Sequence, residues 1–581
     1  MRPTFYLLPA LLLAAVPASA QKLALEKTHN VSGKAKRGFL DDVQVNEAAD
    51  KLDLTFVTKS TNRKVKFETY HFDTKFNFQS MEESEQPVER VKRYKGDQYD
   101  VPGVTVEPNM MGTLVLRRKQ AHYTWDWFWG GYNKKIGILE KVKPRGDNGS
   151  YYQYAAHTEY DQTGNVVVIT SAKDKLGKGA DMLRMYKEYH VLKFNKDLDL
   201  VSDTPLRFDT PQFVVEAAKL DPRGDRDEDA DDSADPEYDL GIVFAPVNVG
   251  GKKFADPKAT NYTYIRVGAD TKQKERVSFQ SPNSVWLVNG MATFADGSVA
   301  VFGPANDKQD DYFNEAIPNQ IASSSIREPL AEKFKAKNFE LLKIKDGAVS
   351  FINNTPVDDF EKKLQTPPTQ KRTPEYTGKR FKVTSSAVLP NGDLLIGGQS
   401  FTFQRGGALG IGKPQTVSSG GGLVGGLTGL AGKGGTSMGT TENLKDYKDV
   451  MMFHFDATGN LRAQYGVRRQ ENNKYSEQNP NTQKTYLSQD GRHVYWMIGE
   501  ISGLREQGGM ESGTLKVLYY PAVTKIDLAS AKLTSFVKFG NEQFFLNNSL
   551  PELPMGNHNT IVYFGENKSG KTMWFGQMPL E

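Results

Sequence analysis

The sequence predicts an all-β fold, a β-propeller of seven or eight four-stranded blades that forms a single domain over residues 21–581. Two kinds of β-hairpin alternate along the chain, and each pair recurs at a spacing of roughly 50 to 85 residues. A last hairpin at 558–578 has no successor, while the segment 22–33 has strand character and no hairpin partner of its own. A closed ring completed by strands from both termini accounts for these observations together.

The first hairpin type is an alternating apolar strand, a turn containing glycine, and a second strand that often ends in glycine. Its clearest copy is SSAVLPNGDLLIGGQSFTF at 385–403, with the turn at Asn391-Gly392. Asn-Gly and Asp-Gly between alternating strands are strong hairpin signals. Other copies are MATFADGSVAVFG at 291–303 and YLSQDGRHVYWMIGE at 486–500, with looser copies at 157–171 and 561–576.

The second hairpin type follows the first and is clearest in VMMFHFDATGNLRAQYG at 450–466, whose turn spans Asp456 to Gly459. Segments of the same shape occur at 68–80, 191–203, 340–352 and 524–540. Together the two types predict four-stranded units that begin near residues 39, 101, 150, 238, 286, 381 and 482. Stacking such units around an axis buries both faces of each sheet. Tandem β-sandwiches are the alternative architecture.

The hairpin LPNGDLLIGGQSF, with its Gly-containing turn and Gly-Gly ending, resembles the repeats of bacterial exported and surface β-propellers. This resemblance covers the hairpins only. It implies a fold and identifies no specific functional family.

The first twenty residues have the pattern of a cleavable signal peptide. Arg2 provides a positive charge, Leu7 to Val16 form a short apolar stretch, and Ala18-Ser19-Ala20 matches a cleavage site. The apolar stretch is shorter than the roughly 20 residues of a spanning helix. We therefore expect export to a periplasm or the extracellular space, with outer-membrane association as a further alternative, and a mature chain without a transmembrane segment.

Composition excludes several classes of site. The chain has no cysteine, so disulfides, thiolate metal ligands and cysteine nucleophiles are absent. The 74 basic and 70 acidic side chains are nearly balanced, which argues against a nucleic-acid partner. Residues 435–439 fit G-x-S-x-G, but they follow a glycine-rich stretch rather than a strand. No catalytic motif has the context that its chemistry requires, and no cofactor is predicted.

Three segments interrupt the predicted repeats: an acidic loop at 221–239, a helix and linker at 318–378, and a Gly-rich loop at 405–439. The helix is predicted from Leu330, Phe334 and Leu341, which share one face at helical spacing. Within the acidic loop, alternate aspartates supply hard oxygen atoms that could bind calcium, against the simpler interpretation of a solvated loop. These residues are Asp225, Asp227, Asp229 and Asp231.

The most unusual local feature is an aromatic cluster between residues 123 and 132. On a strand, alternate residues share one face, and flat rings on an open face can stack on sugars or anchor a partner. Packing in the core between blades is the alternative. The candidate ligand-binding residues are Trp125, Trp127, Trp129 and Tyr132.

The resulting expectation is an exported binding or scaffolding propeller of the cell envelope or extracellular space, whose partner is an unknown protein or glycan. Long loops on a rigid β scaffold favour this interpretation. Two alternatives remain open: a propeller hydrolase or lyase that acts on a glycan or peptide, and a membrane-associated assembly factor. Several carboxylates or histidines with shifted pKa values in a central pocket would favour the enzyme.

Overall fold

The protein is described by a computed structural model. The described residues are 21–60, 64–87, 97–99, 104–106, 113–126, 131–157, 165–175, 183–195, 197–220, 238–249, 252–253, 261–307, 334–403, 417–418, 445–468, 480–506, 515–547, 550–556 and 559–581. Within them the chain forms eight sheets, numbered here in chain order. Their strands pair antiparallel except for the short strands β23 (Leu364–Gln365) and β26 (Val417–Ser418), which pair parallel with β28 (Leu461–Val467) and β31 (Leu515–Asp527).

The first four sheets are four-stranded. Sheet 1 contains β2 (Phe39–Asn46), β3 (Lys51–Ser60), β4 (Lys64–Phe72) and β5 (Phe78–Pro87). Sheet 2 contains β6 (Asp97–Tyr99), β7 (Val104–Val106), β8 (Leu116–Asp126) and β9 (Gly131–Val142). Sheet 3 contains β10 (Gln153–His157), β11 (Val166–Ser171), β12 (Glu188–Phe194) and β13 (Leu200–Arg207). Sheet 4 contains β14 (Gln212–Leu220), β15 (Asp239–Pro246), β16 (Asn261–Val267) and β17 (Gln273–Gln280).

The last four sheets add short segments to the same plan. Sheet 5 contains β18 (Val285–Trp286), β19 (Gly290–Thr293), β20 (Val299–Asn306), β21 (Asn338–Lys345) and β22 (Ala348–Pro356). Sheet 6 contains β23 (Leu364–Gln365), β24 (Phe381–Val388), β25 (Leu394–Phe403), β27 (Lys445–Phe455) and β28 (Leu461–Val467). Sheet 7 contains β26 (Val417–Ser418), β29 (Gln483–Leu487), β30 (His493–Glu506), β31 (Leu515–Asp527), β32 (Lys532–Leu533) and β33 (Val537–Lys538). Sheet 8 contains β34 (Phe544–Leu546), β35 (Glu552–Met555), β36 (Thr560–Asn567), β37 (Thr572–Pro579) and β1 (Leu25–Asn30).

The N-terminal strand β1 completes sheet 8. It pairs antiparallel with β37, from Leu25 opposite Gln577 to Asn30 opposite Thr572. The chain then turns into the helix Gly33–Arg37, whose N-cap Ser32 also donates to Glu68 Oε2 in sheet 1 at 2.6 Å. The predicted closure by strands from both termini is therefore confirmed, and residues 21–38 join sheets 8 and 1.

The hydrophobic core lies between neighbouring sheets rather than within one sandwich. Separate clusters of buried side chains join sheets 8 and 1, 2 and 3, 3 and 4, 4 and 5, 5 and 6, 6 and 7, and 7 and 8. Trp286, Trp496 and Trp574 are the largest buried side chains, at the contacts of sheets 4 with 5, 6 with 7 and 7 with 8. Because sheet 8 packs against both sheet 7 and sheet 1, the fold is a β-propeller, with eight blades in the part of the chain that the structure describes.

Two sequence expectations about segments need correction. The fourth blade begins at β14, not near residue 238, so the acidic stretch separates two strands of one blade. The sequence hides β14 because Val215 forms a bulge that interrupts its alternation. The range 318–378 includes β21 and β22. Leu341 lies in β21, where it packs against sheet 6, so it is not part of a helix.

The helices are few and short. The one helix in the described part of 318–378 is Val357–Lys362, and another, Arg184–Lys187, precedes β12. Single 3₁₀ turns occur at Glu47–Ala49 and Gly540–Glu542. No helix among the described residues combines the length and apolar character that crossing a membrane requires.

Candidate functional site

The innermost strands of the blades form the wall of a central channel. Strands β10, β14, β19, β24 and β29 each contact the next one around the ring. In four blades the innermost strand carries a β-bulge at the same point, where one extra residue shifts the register. The bulged residues are Asp41, Ala155, Val215 and Thr384. Bulges reorient side chains and are frequent beside functional sites.

Strand register places several charged residues at one height in this channel. Asp42 pairs with Thr55 of β3, and Glu216 pairs with Val243 of β15. Thr55 and Val243 each lie three residues after the first residue of their own strand that pairs with the third strand of the blade. Lys484, opposite Met497, occupies the equivalent position in sheet 7. Residues at equivalent register positions lie at one level, and each further residue adds about 3.3 Å along the strand.

Two carboxyl groups at this level have raised pKa values. Burial raises the pKa of Glu216 to about 7, although part of the side chain remains accessible to solvent. Burial, together with the negative charge of Asp42, raises the pKa of Asp41. A carboxyl group that is partly accessible but largely surrounded by protein is desolvated, and desolvation disfavours its charged form.

His157 lies one residue further along the channel than Glu216, at the end of β10 in the adjacent blade. Its Nδ1 is 2.7 Å from the hydroxyl of Tyr154, and burial lowers its pKa. The neutral ring is therefore favoured. A neutral imidazole is capable of accepting a proton, and a carboxyl group with a pKa of about 7 is capable of both donating and accepting one near neutral pH.

Glu552, on β35 of sheet 8, lies on the wall between blades 7 and 8. Its side chain is 4% exposed, and its Oε1 forms an ion pair with Nζ of Lys484, which is 42% exposed. The buried hydroxyl of Tyr486 lies beside Glu552 and interacts with its carboxylate by charge and by a side-chain hydrogen bond. Burial, followed by the charge of Glu552, raises the pKa of Tyr486 well above its usual value. This cluster opens to solvent on the side of Lys484.

A second polar feature is a cleft of about 560 Å³ between blades 4 and 5, on the face of the ring that carries the hairpin turns. Buried Asp239 holds Arg266 Nε at 2.6 Å and Lys274 Nζ at 2.8 Å, while Asp296 pairs with Lys345 at 3.0 Å. Most charged groups in this cleft are satisfied by one another, so we assign it a structural role.

The structure does not test the predicted ligand-binding residues. Trp125 lies in β8 and pairs with Tyr132 of β9, but their side chains are not described. Trp127 and Trp129 lie outside the described residues, as do all the proposed calcium ligands, Asp225, Asp227, Asp229 and Asp231. In the described part of the chain, no group of three His, Asp or Glu side chains is arranged to hold a metal ion.

Sequence reasoning missed the channel residues because each blade contributes only one or two of them. One local signal was available: Glu216 is a single acidic residue inside the apolar run of β14, FVVEAA. An isolated carboxylate in such a run must either find a partner or face a solvated cavity.

Comparison with known proteins gives no functional assignment. No protein-family model matches the chain, and no curated protein matches it. Similar solved structures include a Synechocystis apocarotenoid oxygenase, with 9% identity over 94% of this chain and 89% of that chain at a TM-score of 0.31. The WD40 domain of SCAP from fission yeast has 8% identity over 96% and 98% at 0.26, and Pseudomonas brassicacearum lignostilbene dioxygenase has 11% over 89% and 92% at 0.27. At these identities and TM-scores, the matches support no inference about activity.

Proposed function

We propose that this protein is an exported binding β-propeller whose central channel binds the positively charged groups of a ligand. The observation that carries the proposal is the surplus of carboxyl groups at one level of the channel. Asp41, Asp42, Glu216 and Glu552 lie on innermost strands at or near that level, and only Lys484 opposes them among the described residues.

The charge balance favours a cationic ligand. Lys484 is already paired with Glu552, so the remaining three carboxyl groups lack a cation at that level within the described chain. A bound ammonium group would stabilise the ionised form of Asp41 and Glu216, which burial disfavours in the free protein. Binding of a cation should therefore release protons near pH 7.

The test is calorimetric titration of the full chain with spermidine, which carries three cationic amines and no hydroxyl group. We expect Glu216→Gln and Asp42→Asn each to weaken binding by about tenfold, since a charge-assisted hydrogen bond contributes 1.5 to 3 kcal/mol. Glu275→Gln makes the same chemical change in the cleft between blades 4 and 5, and it should leave binding unchanged.

Added salt should weaken binding, because counterions screen the attraction between charges in a solvated channel. Heat measured in buffers of different ionisation enthalpy should show net proton release at pH 7. Spermidine affinity that is absent, or that Glu216→Gln and Asp42→Asn leave unaltered, would refute a cation-binding channel.

A second function, acid–base catalysis on a glycan or peptide, is favoured by one observation: the pKa of about 7 at Glu216 beside the blade that carries His157. An enzyme of this kind would lose turnover on Glu216→Gln and on His157→Ala. Simple binding would depend on the Glu216 charge and would be insensitive to the imidazole.

A further inference from the structure

Blade 2 has four strands that fill only three layers. β8 pairs with β9 along the whole of β8, from Leu116 opposite Val142 to Asp126 opposite Gly131. A strand has two edges, so β6 and β7, which also pair with β8, share its other edge and together form the innermost layer. β9 is therefore the outermost described strand of this blade, although it occupies the third layer.

The other blades carry a further strand outside the third one. β5, β13, β17, β22 and β28 take that place in blades 1, 3, 4, 5 and 6, β32 and β33 do so in blade 7, and β1 does so in blade 8. In blade 2 the connection after β9 does not supply one, because residues 143–152 form a tight turn, with Arg145 opposite Tyr151, and lead directly into β10. Among the described residues, nothing pairs with the outer edge of β9.

The open edge of β9 is long enough to receive another strand. Backbone N–H and C=O groups along such an edge pair readily with an extended segment. Leu139 forms a bulge, which leaves 131–138 as a continuous stretch of eight residues. This stretch spans about 26 Å at the usual rise per residue. Beyond the bulge, Glu140 and Lys141 are exposed, so the edge faces solvent at that end.

The rim of the ring already receives strands from remote parts of the sequence. The N-terminal β1 pairs with β37 of blade 8. β23 adds in parallel to β28, the outermost strand of blade 6, and β26 adds in parallel to β31 of blade 7. Pairing at the rim therefore needs no continuous hairpin, and a strand from another molecule meets the same requirement.

The charges along β9 favour an acidic strand. The sequence from 131 to 143 has lysines at 134, 135, 141 and 143 and one acidic residue, Glu140, whose Oε2 is 3.8 Å from Arg118. A second copy that pairs through 131–138 would bring the lysines of both chains together, and lysines on edge strands disfavour such self-pairing. Opposite charges on cross-strand neighbours stabilise a pair. The edge therefore fits an acidic extended segment.

We propose that the outer edge of β9 binds an acidic, extended segment of another protein, which adds to blade 2 as its fourth strand. This site lies at the rim of the ring, so it goes beyond the proposed cation-binding channel and does not depend on it. The carboxyl groups of the channel repel an acidic peptide, and the two sites therefore take ligands of opposite charge.

The test measures fluorescence anisotropy of a labelled eight-residue peptide of alternating glutamate and threonine, titrated with the full chain. Two further peptides separate backbone pairing from charge attraction. The first has the same sequence with its backbone amides N-methylated, which removes the donors and blocks strand pairing. The second has lysine in place of glutamate. We expect saturable binding of the acidic peptide and no binding of the other two.

Substitutions locate the site. Lys134→Gln combined with Lys135→Gln removes two charges from the edge and should weaken binding of the acidic peptide by about fivefold. The matched control, Lys64→Gln combined with Lys66→Gln, makes the same change on β4, the third strand of blade 1, whose outer edge is covered by β5. It should leave binding unchanged. Thermal unfolding checks that both variants keep the fold.

Three results would overturn the proposal. Equal binding of the N-methylated peptide would show charge attraction without strand addition. Absence of binding at about 1 mM acidic peptide would show that the edge takes no such strand. A free chain that sediments as a dimer, tightened by Lys134→Gln with Lys135→Gln, would identify a second copy as the occupant. Glu216→Gln should leave peptide affinity unchanged, which keeps this test separate from that of the channel.

Discussion

A buried Asp–His pair in blade 6 offers the sharpest test of how this ring is stabilised. Asp393, immediately after the Asn391-Gly392 turn, accepts from His454 Nε2 and from Arg462, both at 2.8 Å, through a single carboxylate oxygen. His454 is fully buried, and its Nδ1 lies 3.2 Å from the hydroxyl of Tyr465. Burial lowers the pKa of His454, so the ring is neutral at pH 7.

Replacing Asp393 with Ala leaves a buried imidazole N–H without its acceptor and a guanidinium without its carboxylate. Removing one member of a buried charged pair typically costs 3 to 5 kcal/mol. Arg462 keeps a bond to the Ala529 carbonyl, and its side chain is 28% exposed, so solvent recovers part of this loss. We therefore expect a loss of about 3 kcal/mol in the free energy of unfolding.

The matched control is Asp53→Ala in blade 1. Asp53 pairs with His71 Nδ1 at 2.7 Å, and His71 occupies the position equivalent to His454 on its own third strand. Both side chains of that pair are 29% exposed. A partly exposed pair contributes about 0 to 1 kcal/mol. Urea unfolding at pH 7 that shows equal losses for the two variants would refute the burial argument.

Three further predictions concern Glu216 in the channel, the close backbone contact at Gly303, and the pairing of β1 with β37 that closes the ring. Glu216→Gln should stabilise the fold at pH 8 by up to roughly 3 kcal/mol and have little effect at pH 4. The pKa of Glu216 is about 7 in the folded protein against the usual 4.5, so its contribution to stability falls as the pH rises from 4.5 to 7, and urea unfolding at several pH values measures this. Gly303→Ala should cost about 1 to 3 kcal/mol, since the new methyl group would lie 1.9 Å from the carbonyl oxygen of Leu287; a thermal midpoint measures it. Deleting residues 21–30 exposes the β37 edge and removes the partner of Trp574 Nε1, so we expect a lower thermal midpoint and concentration-dependent association, measured by light scattering.

The alternation of hairpin types was predictable because each hairpin is a local object. Its turn requires a positive φ, and the glycines at 297, 392, 459 and 491 supply it, with φ between 68° and 84°. A second local pattern recurs at the ends of the third strands. There an apolar, a basic and an apolar residue occur in succession and are followed by Asp or Asn. His71, Lys193 and His454 are the basic residues of three such copies.

The last residue of that pattern has a clear local role. Asp73 accepts from the backbone N–H groups of Lys75 and Asn77, and Asp456 does the same for Thr458 and Asn460. Asx turns of this kind hold the link between the third and fourth strands. A pattern with such a local cause can be recognised from one sequence, which is why the number and order of blades could be predicted closely.

The channel chemistry has no comparable local cause. A one-residue shift in register moves a side chain to the other face of a strand, and sequence alternation alone does not locate such shifts. At Val215 the bulge interrupts the period of β14, which hid the strand and the orientation of Glu216 together. The ion pair between Lys484 and Glu552 joins blades 7 and 8 across 68 residues of sequence, and nothing at either position alone indicates the other.

The residues that build the scaffold and the residues that form the candidate site therefore follow different patterns in the sequence. Residues that pack between blades recur with the hairpin pattern, so substituting them alters the whole ring. The charged residues at the bulge level do not recur: the equivalent positions hold Asp42, Ala156, Glu216, Gly290 and Ser385 in blades 1, 3, 4, 5 and 6. Ligand chemistry can therefore change one blade at a time without disturbing the packing between blades. The affinity for a cation should follow the charge at that one level, and substitutions on the outermost strands should leave it unchanged.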